Sequence, residues 1–210
     1  MSIGLLIAAM PLLSHAVEEP SYEVVRQLDG AEVRQYAPYA VAEVLVGGPA
    51  DEAGSQAFPI LAGYIFGKNK GARKFEMTAP VTQAAAPVKL AMTAPVTQAA
   101  AAGGYLVQFV LPKDVTVASA PEPNDSRVQL RDVPGRRVAV IRYSGFWSQG
   151  NYDEHLGKLG QALRAANIAW TGEPTLSRYD PPFTPWFMRR NEIWLTVPSA
   201  SPQDGGRSPP

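Results

Sequence analysis

Few residues in this chain have the types and spacing that chemistry requires. Its 210 residues include no cysteine and two histidines, His15 and His155. The lack of cysteine removes disulfides, thiolate metal sites and a Cys nucleophile. A two-His metal site or a Ser-His-Asp triad would have to rest on His155 alone. Glu43, Glu76, Asp180 and Glu192 are the carboxylates to weigh for acid–base work. A working pair would show environments that push two pKa values apart, and the spacing marks no such pair. Carboxylates on strands are more often solvated or paired with neighbouring arginines. The near absence of histidine argues against hydrolytic enzymes more strongly than any motif argues for one, and the expectation is a protein that is not an enzyme.

Charge excludes further classes. Lys+Arg and Asp+Glu number 19 each, so no global field draws nucleic acid or an anionic membrane. The run Lys68, Lys70, Arg73, Lys74 and the pair Arg189-Arg190 come closest to a basic stripe, and both read as solvated edges. Hydrophobic residues make up 46% and charged residues 18%, which is ordinary for a globular domain.

The elements that would position a site alternate strands with two helices. Ser21–Leu28 and Ala31–Tyr36 flank Asp29-Gly30, a hairpin turn whose positions accept positive φ. Pro38–Val46, Tyr105–Leu111, Arg127–Val133, Arg136–Tyr143, Gly172–Tyr179 and Asn191–Val197 also read as strands. Gln149–Asn167 is predicted as a helix capped by Ser148, with Tyr152, Leu156, Leu159, Leu163 and Ala166 on its core stripe. His155 lies beside that stripe as a boundary residue.

A helix over Asp51–Phe66 is less ordinary. Ala53, Ala57, Ile60, Leu61 and Tyr64 share one face, while Phe58, Ala62 and Ile65 form a second, roughly 120° away. Pro59 should kink or restart this helix, and Gly67 should end it. The second apolar face needs a cover: a loop, a partner or an apolar ligand. The element order suggests two similar β-α-β-β units packed into one domain. The fold class expected is therefore α+β, a distorted antiparallel β-barrel or sheet flanked by two helices, with a pseudo-two-fold repeat.

Three outlying segments complete the organisation. Residues 1–16 form an apolar run ending Ser14-His15-Ala16, whose small residues suit a signal-peptidase site. Cleavage after Ala16 predicts a periplasmic or secreted protein without stable membrane insertion. Residues 17–198 form one domain, and the Ser/Pro/Gly-rich stretch 199–210 reads as a disordered tail. The ten letters MTAPVTQAAA occur twice, from Met77 and from Met92. One copy is expected in the sheet, and the other as an added edge strand or flap.

Four motifs in order carry a resemblance. They are Tyr22-Glu23-Val24 followed by Val33-Arg34-Gln35-Tyr36; Ile60 to Asn69 (ILAGYIFGKN); Met77-Thr78-Ala79-Pro80-Val81; and Tyr179-Asp180-Pro181-Pro182 leading into Arg189-Arg190-Asn191-Glu192-Ile193-Trp194. Together they resemble the SOUL/haem-binding protein family from about Tyr22 to Val197. The resemblance implies non-covalent haem, or a related tetrapyrrole, in an apolar surface groove between the first helix and the Pro-rich loop before the last strand. Phe58, Ala62, Ile65, Phe183 and Trp186 are then the walls, and Lys68, Arg189 and Arg190 the cations at the rim. Basic residues of animal members align with Ser55, Gly63 and Thr184 here. Met77, Met92, Tyr64 and His155 are all of types that ligate haem iron, and sequence selects none; binding by the ring face alone stands beside them. Two further readings remain open. The Pro-rich loop can fold onto the helix with no ligand, or the two-fold can serve an effector- or protein-binding module of the gyrase-inhibitor type.

Overall fold

In the computed structural model of the chain, residues 18–85, 104–180 and 183–198 are described. The expected leader 1–16, the tail 199–210 and the second MTAPVTQAAA copy lie outside them. The elements are β1 (Tyr22–Gln27), β2 (Glu32–Tyr36), β3 (Tyr39–Val46), α1 (Ala50–Ile65), β4 (Val81–Ala85) and β5 (Tyr105–Val110), then β6 (Gln129–Val133), β7 (Arg136–Tyr143), α2 (Gln149–Ala165), β8 (Thr171–Arg178) and β9 (Asn191–Thr196). A short 3-10 turn, Trp186–Met188, precedes β9.

The strands form one curled antiparallel sheet in the order β1-β2-β7-β9-β8-β4-β5-β3-β6. The expected two-fold is visible in that order. One half runs β3-α1-β4-β5 and the other β7-α2-β8-β9, and they meet where β4 pairs with β8. Each half also lends a strand to the other: β2 pairs with β7, and β6 with β3. The first MTAPVTQAAA copy supplies β4, and the second follows it in the sequence before β5.

Strand alternation gives the sheet two unlike faces. One face carries both helices over apolar clusters, with Leu61 and Phe109 under α1 and Leu159 and Ile193 under α2. The opposite face holds Tyr36, Val138, Val140 and Trp194. Among them lies Glu192, fully buried, which accepts six hydrogen bonds: two from Arg34, two from Arg190, and one each from Tyr179 and Trp194.

Helix α1 runs through Pro59 as one element. Proline removes the bond to the Ser55 carbonyl, but Ser55 and Pro59 are both exposed, so water can satisfy it. The helix ends in a Schellman motif: Lys68 N–H donates to Gly63 O at 2.8 Å and Gly67 N–H to Tyr64 O at 3.2 Å. Gly67 has φ +104°, which a Cβ would disfavour. Buried Asn69 locks the exit, donating to Tyr64 O and Arg73 O and accepting from Arg73 N–H. Part of the cover for the second apolar face comes from the chain itself. Phe75 and the connection after β5, with Leu111, Val115 and Val128, join Ala62 and Ile65 in the core.

Candidate functional site

One row of paired residues crosses the helix-facing side of the sheet: Phe109, Val81, Arg178, Asn191 and Tyr143. At one end Phe58 of α1 packs edge-on against Phe109, with ring centroids 5.6 Å apart. At the other, His155 of α2 stacks on Tyr143 at 4.3 Å. Arg178 and Asn191 thus floor the space between the helices.

The connection from β7 to α2 builds over this floor. Asn151 reaches back to hold the carbonyls of Ser144 and Phe146, and Ser148 caps the helix by accepting from Asn151 N–H. Gly145, at φ +118°, donates its N–H to the Trp186 carbonyl at 3.0 Å, tying this connection to the loop before β9. Phe146 then stacks on Trp186, with centroids 5.1 Å apart and planes 18° from parallel. Trp147 donates Nε1–H to Asn191 Oδ1 at 2.8 Å. Phe146, Trp186, Phe187, Met188 and Phe183 are all exposed, Phe183 at 86%. So many large apolar groups on two adjoining connections form an exposed shelf that water does not stabilise.

Two guanidinium groups lie against this shelf. Arg178 sits over the Trp147 ring at 4.6 Å and Arg189 at 4.4 Å. Arg189 also donates Nε–H to Thr184 O at 2.8 Å. Arg178 Nε is buried without a hydrogen-bond partner, and no carboxylate lies within ion-pair distance of its guanidinium among the described residues. Burial lowers its pKa from the ordinary value; Tyr143 opposes that and the positive Arg189 adds to it. Gly54 of α1 makes room for this group, since a Cβ there would stand 3.0 Å from Arg178 Nη1.

The residues anticipated from sequence divide into three groups. Phe183, Trp186 and Arg189 belong to the shelf, and Phe58 is half-exposed on the α1 side. Ala62 and Ile65 are on the buried side of α1, and the ring contacts of Phe58 and Trp186 are with Phe109 and Phe146. Lys68 folds back across α1, its Cδ 3.1 Å from where a Gly63 Cβ would be. Arg190 turns to the opposite face, where it pairs with Glu192 and Glu19 at 2.8 and 2.7 Å. Phe146, Trp147 and Arg178 were not anticipated. The signal available was Phe146-Trp147 itself, two large aromatics in a strand-to-helix link where polar residues are usual.

The candidate iron ligands are otherwise engaged. Tyr64 donates its hydroxyl to Pro121 O, His155 Nδ1 lies 2.8 Å from Asn151 O, and Met77 packs against the α1 core. Met92 lies outside the described residues. No cluster of three or more His, Asp or Glu residues able to hold a metal ion occurs among the described residues. Glu43 bonds Gln108 and Arg131, and Asp180 accepts from Arg190 N–H. With Glu192 enclosed by arginines, three of the four carboxylates weighed above have structural partners.

Comparison with known proteins agrees with the fold and the motifs. Heme-binding protein 1 of Mus musculus is 28% identical over 148 residues, spanning 70% of this chain and 73% of its own. Heme-binding protein 2 of Mus musculus is 28% identical over 186 residues, 86% of each chain. The crystal structure of the EcmrR C-terminal domain superposes with a TM-score of 0.58 at 12% identity, covering 82% of this chain and 99% of that one. That likeness shows a shared fold alone. The SOUL heme-binding protein description matches residues 17–196, and with the four motifs and the two-fold sheet this places the chain in the SOUL haem-binding protein family.

Proposed function

We propose that the protein binds haem or a related tetrapyrrole non-covalently on the shelf that the β7–α2 connection and the loop before β9 form beside α1, without catalysis. The observation that carries this is the shelf itself: stacked, exposed Phe146 and Trp186 beside guanidinium groups at Trp147. A porphyrin offers a flat apolar face and carboxylates at one edge, and this surface offers aromatic planes with cations at their margin. The orphaned Arg178 Nε supports the fit, because a buried donor without a partner is costly until something accepts from it. Relatives named as heme-binding proteins support the ligand class.

In this arrangement Trp186, Phe146 and Phe183 take the ring face, and half-exposed Phe58, packed on Phe109, flanks it on the α1 side, with Ala62 and Ile65 in the core. Bound haem would bring its iron and its colour; the chain contributes an apolar surface and positive charge. Binding through the ring face, with Tyr64 and His155 held in their own hydrogen bonds, predicts similar affinity for iron-free porphyrin. Titration with hemin and with protoporphyrin, followed by Soret absorbance, tests the proposal. Saturable one-to-one binding weakened by Trp186→Ala is expected. A spectrum that stays that of free or aggregated hemin at all protein concentrations would refute it.

A further inference from the structure

We infer that Arg178 is the residue that reads the ligand's carboxylate, at the end of α1 nearest Gly54. The inference deepens the binding proposal above and rests on it. Three independent features converge on this side chain. Its Nε is buried with no acceptor, and no acidic partner neutralises it among the described residues. Its guanidinium carbon lies over the Trp147 ring, 4.6 Å from the centroid, and Trp147 is itself fixed by the bond to Asn191. Gly54 leaves open the space its Nη1 occupies.

A buried arginine normally has a carboxylate, as Arg34 has Glu192 on the opposite face. Arg178 is half-buried with its Nε enclosed and has none among the described residues; Arg136 and Arg137 also have enclosed Nε atoms, and what sets Arg178 apart is its place at Trp147 and Gly54 beside the aromatic shelf. Its planar fork suits two-point contact with a carboxylate, and the neighbouring indole holds it in place. Arg189, over the same ring, adds positive potential at that edge.

Geometry also separates Arg178 from Lys68. Lys68 lies across Gly63, and at 1.5 Å per residue Gly63 is about 14 Å along the helix axis from Gly54. The two carboxylates of a protoporphyrin leave one edge of the ring side by side, so they cannot use both ends of α1. Arg178 with Trp147 is the end that joins the aromatic shelf.

The test compares hemin with hemin dimethyl ester, whose carboxylates are masked, by quenching of tryptophan fluorescence on the full chain. Wild type is expected to prefer the free acid, and Arg178→Met to lose about tenfold in affinity for the acid while binding the ester as wild type does. Gly54→Ala is a second variant that leaves the arginine in place but crowds its Nη1; it should weaken the acid and spare the ester. Lys68→Met should change neither. Equal acid affinity in wild type and both variants overturns the inference, as does an equal loss for acid and ester, which would mean that Arg178 only supports Trp147. If wild type binds neither ligand, the binding proposal itself fails.

Discussion

Replacing Glu192 with glutamine keeps the shape of the side chain and removes the charge at the centre of the polar face. The carboxylate is fully buried and takes bonds from Arg34 at 2.9 and 3.2 Å, Arg190 at 3.0 and 2.8 Å, Tyr179 at 2.7 Å and Trp194 at 2.9 Å. An amide nitrogen cannot accept, so donors at one oxygen lose their partner, and buried Arg34 keeps only Glu32 as a counter-ion. Breaking a buried pair from one side costs about 3–5 kcal/mol. For a chain of this size that corresponds to a Tm lower by roughly 6–20 °C. Urea unfolding followed by far-UV circular dichroism at neutral pH measures it. The pH dependence gives a second reading. Burial alone would raise the Glu192 pKa, but its bonds and charge contact with Arg34 hold it below the ordinary carboxylate value. A depressed folded-state pKa stabilises fully above the unfolded value, about 4.3, and that contribution is lost as pH falls through the folded value. The gap between wild type and Glu192→Gln should therefore narrow in acid. A difference under about 1 kcal/mol at neutral pH would show that the cluster is not the strong pair described here.

Three other outcomes follow from local geometry. Asn69→Ala removes three bonds made by a buried side chain at the α1 exit and should cost about 1–3 kcal/mol in chemical denaturation; no change would mean that water replaces the side chain. Gly145→Ala places a Cβ 2.7 Å from Asn151 Nδ2 at φ +118°, so it should destabilise by more than about 1 kcal/mol and weaken porphyrin binding through the displaced Phe146. Trp186→Ala should leave stability nearly unchanged, because the ring is half-exposed, while reducing hemin affinity about three- to tenfold. A Soret titration and a thermal melt on the same sample separate those two effects.

Much of the fold is legible in the sequence because local signals and the global pattern agree. Asp29-Gly30 marks the first hairpin, and Gly30 has the positive φ that the turn requires. Ser148 caps α2 as expected, and Leu159 and Leu163 of the expected stripe are fully buried. The repeated MTAPVTQAAA yields its first copy to β4, where Val81 pairs with Phe109 and Arg178. The site is less legible, because its members come from separate connections brought together by sheet order. Helical periodicity shows that Ala62 and Ile65 lie on a second apolar face in need of a cover, but not that Phe75 and Val115 join them in the core. Arg189 and Arg190 are neighbours in sequence, yet one lies over Trp147 and the other joins Glu192. Arg178 is one charge at the end of a strand in the sequence; its surroundings, Gly54 and Trp147, are distant in sequence and near in space.

The exchange of strands between the halves has a consequence for how the chain matures. Tyr36 pairs with Arg136, and Tyr39 with Val133, so β2 and β3 each have a partner that is synthesised much later. When α1, β4 and β5 have left the ribosome, β3 has one edge satisfied by β5 and the other waiting for β6. β4 likewise waits for β8. Such pairings carry a high loop-closure cost and slow folding. The nascent first half therefore presents open strand edges throughout elongation, a state prone to pairing with other chains. Cutting the gene between the two similar halves should accordingly yield fragments that are insoluble alone and recover structure only when produced together.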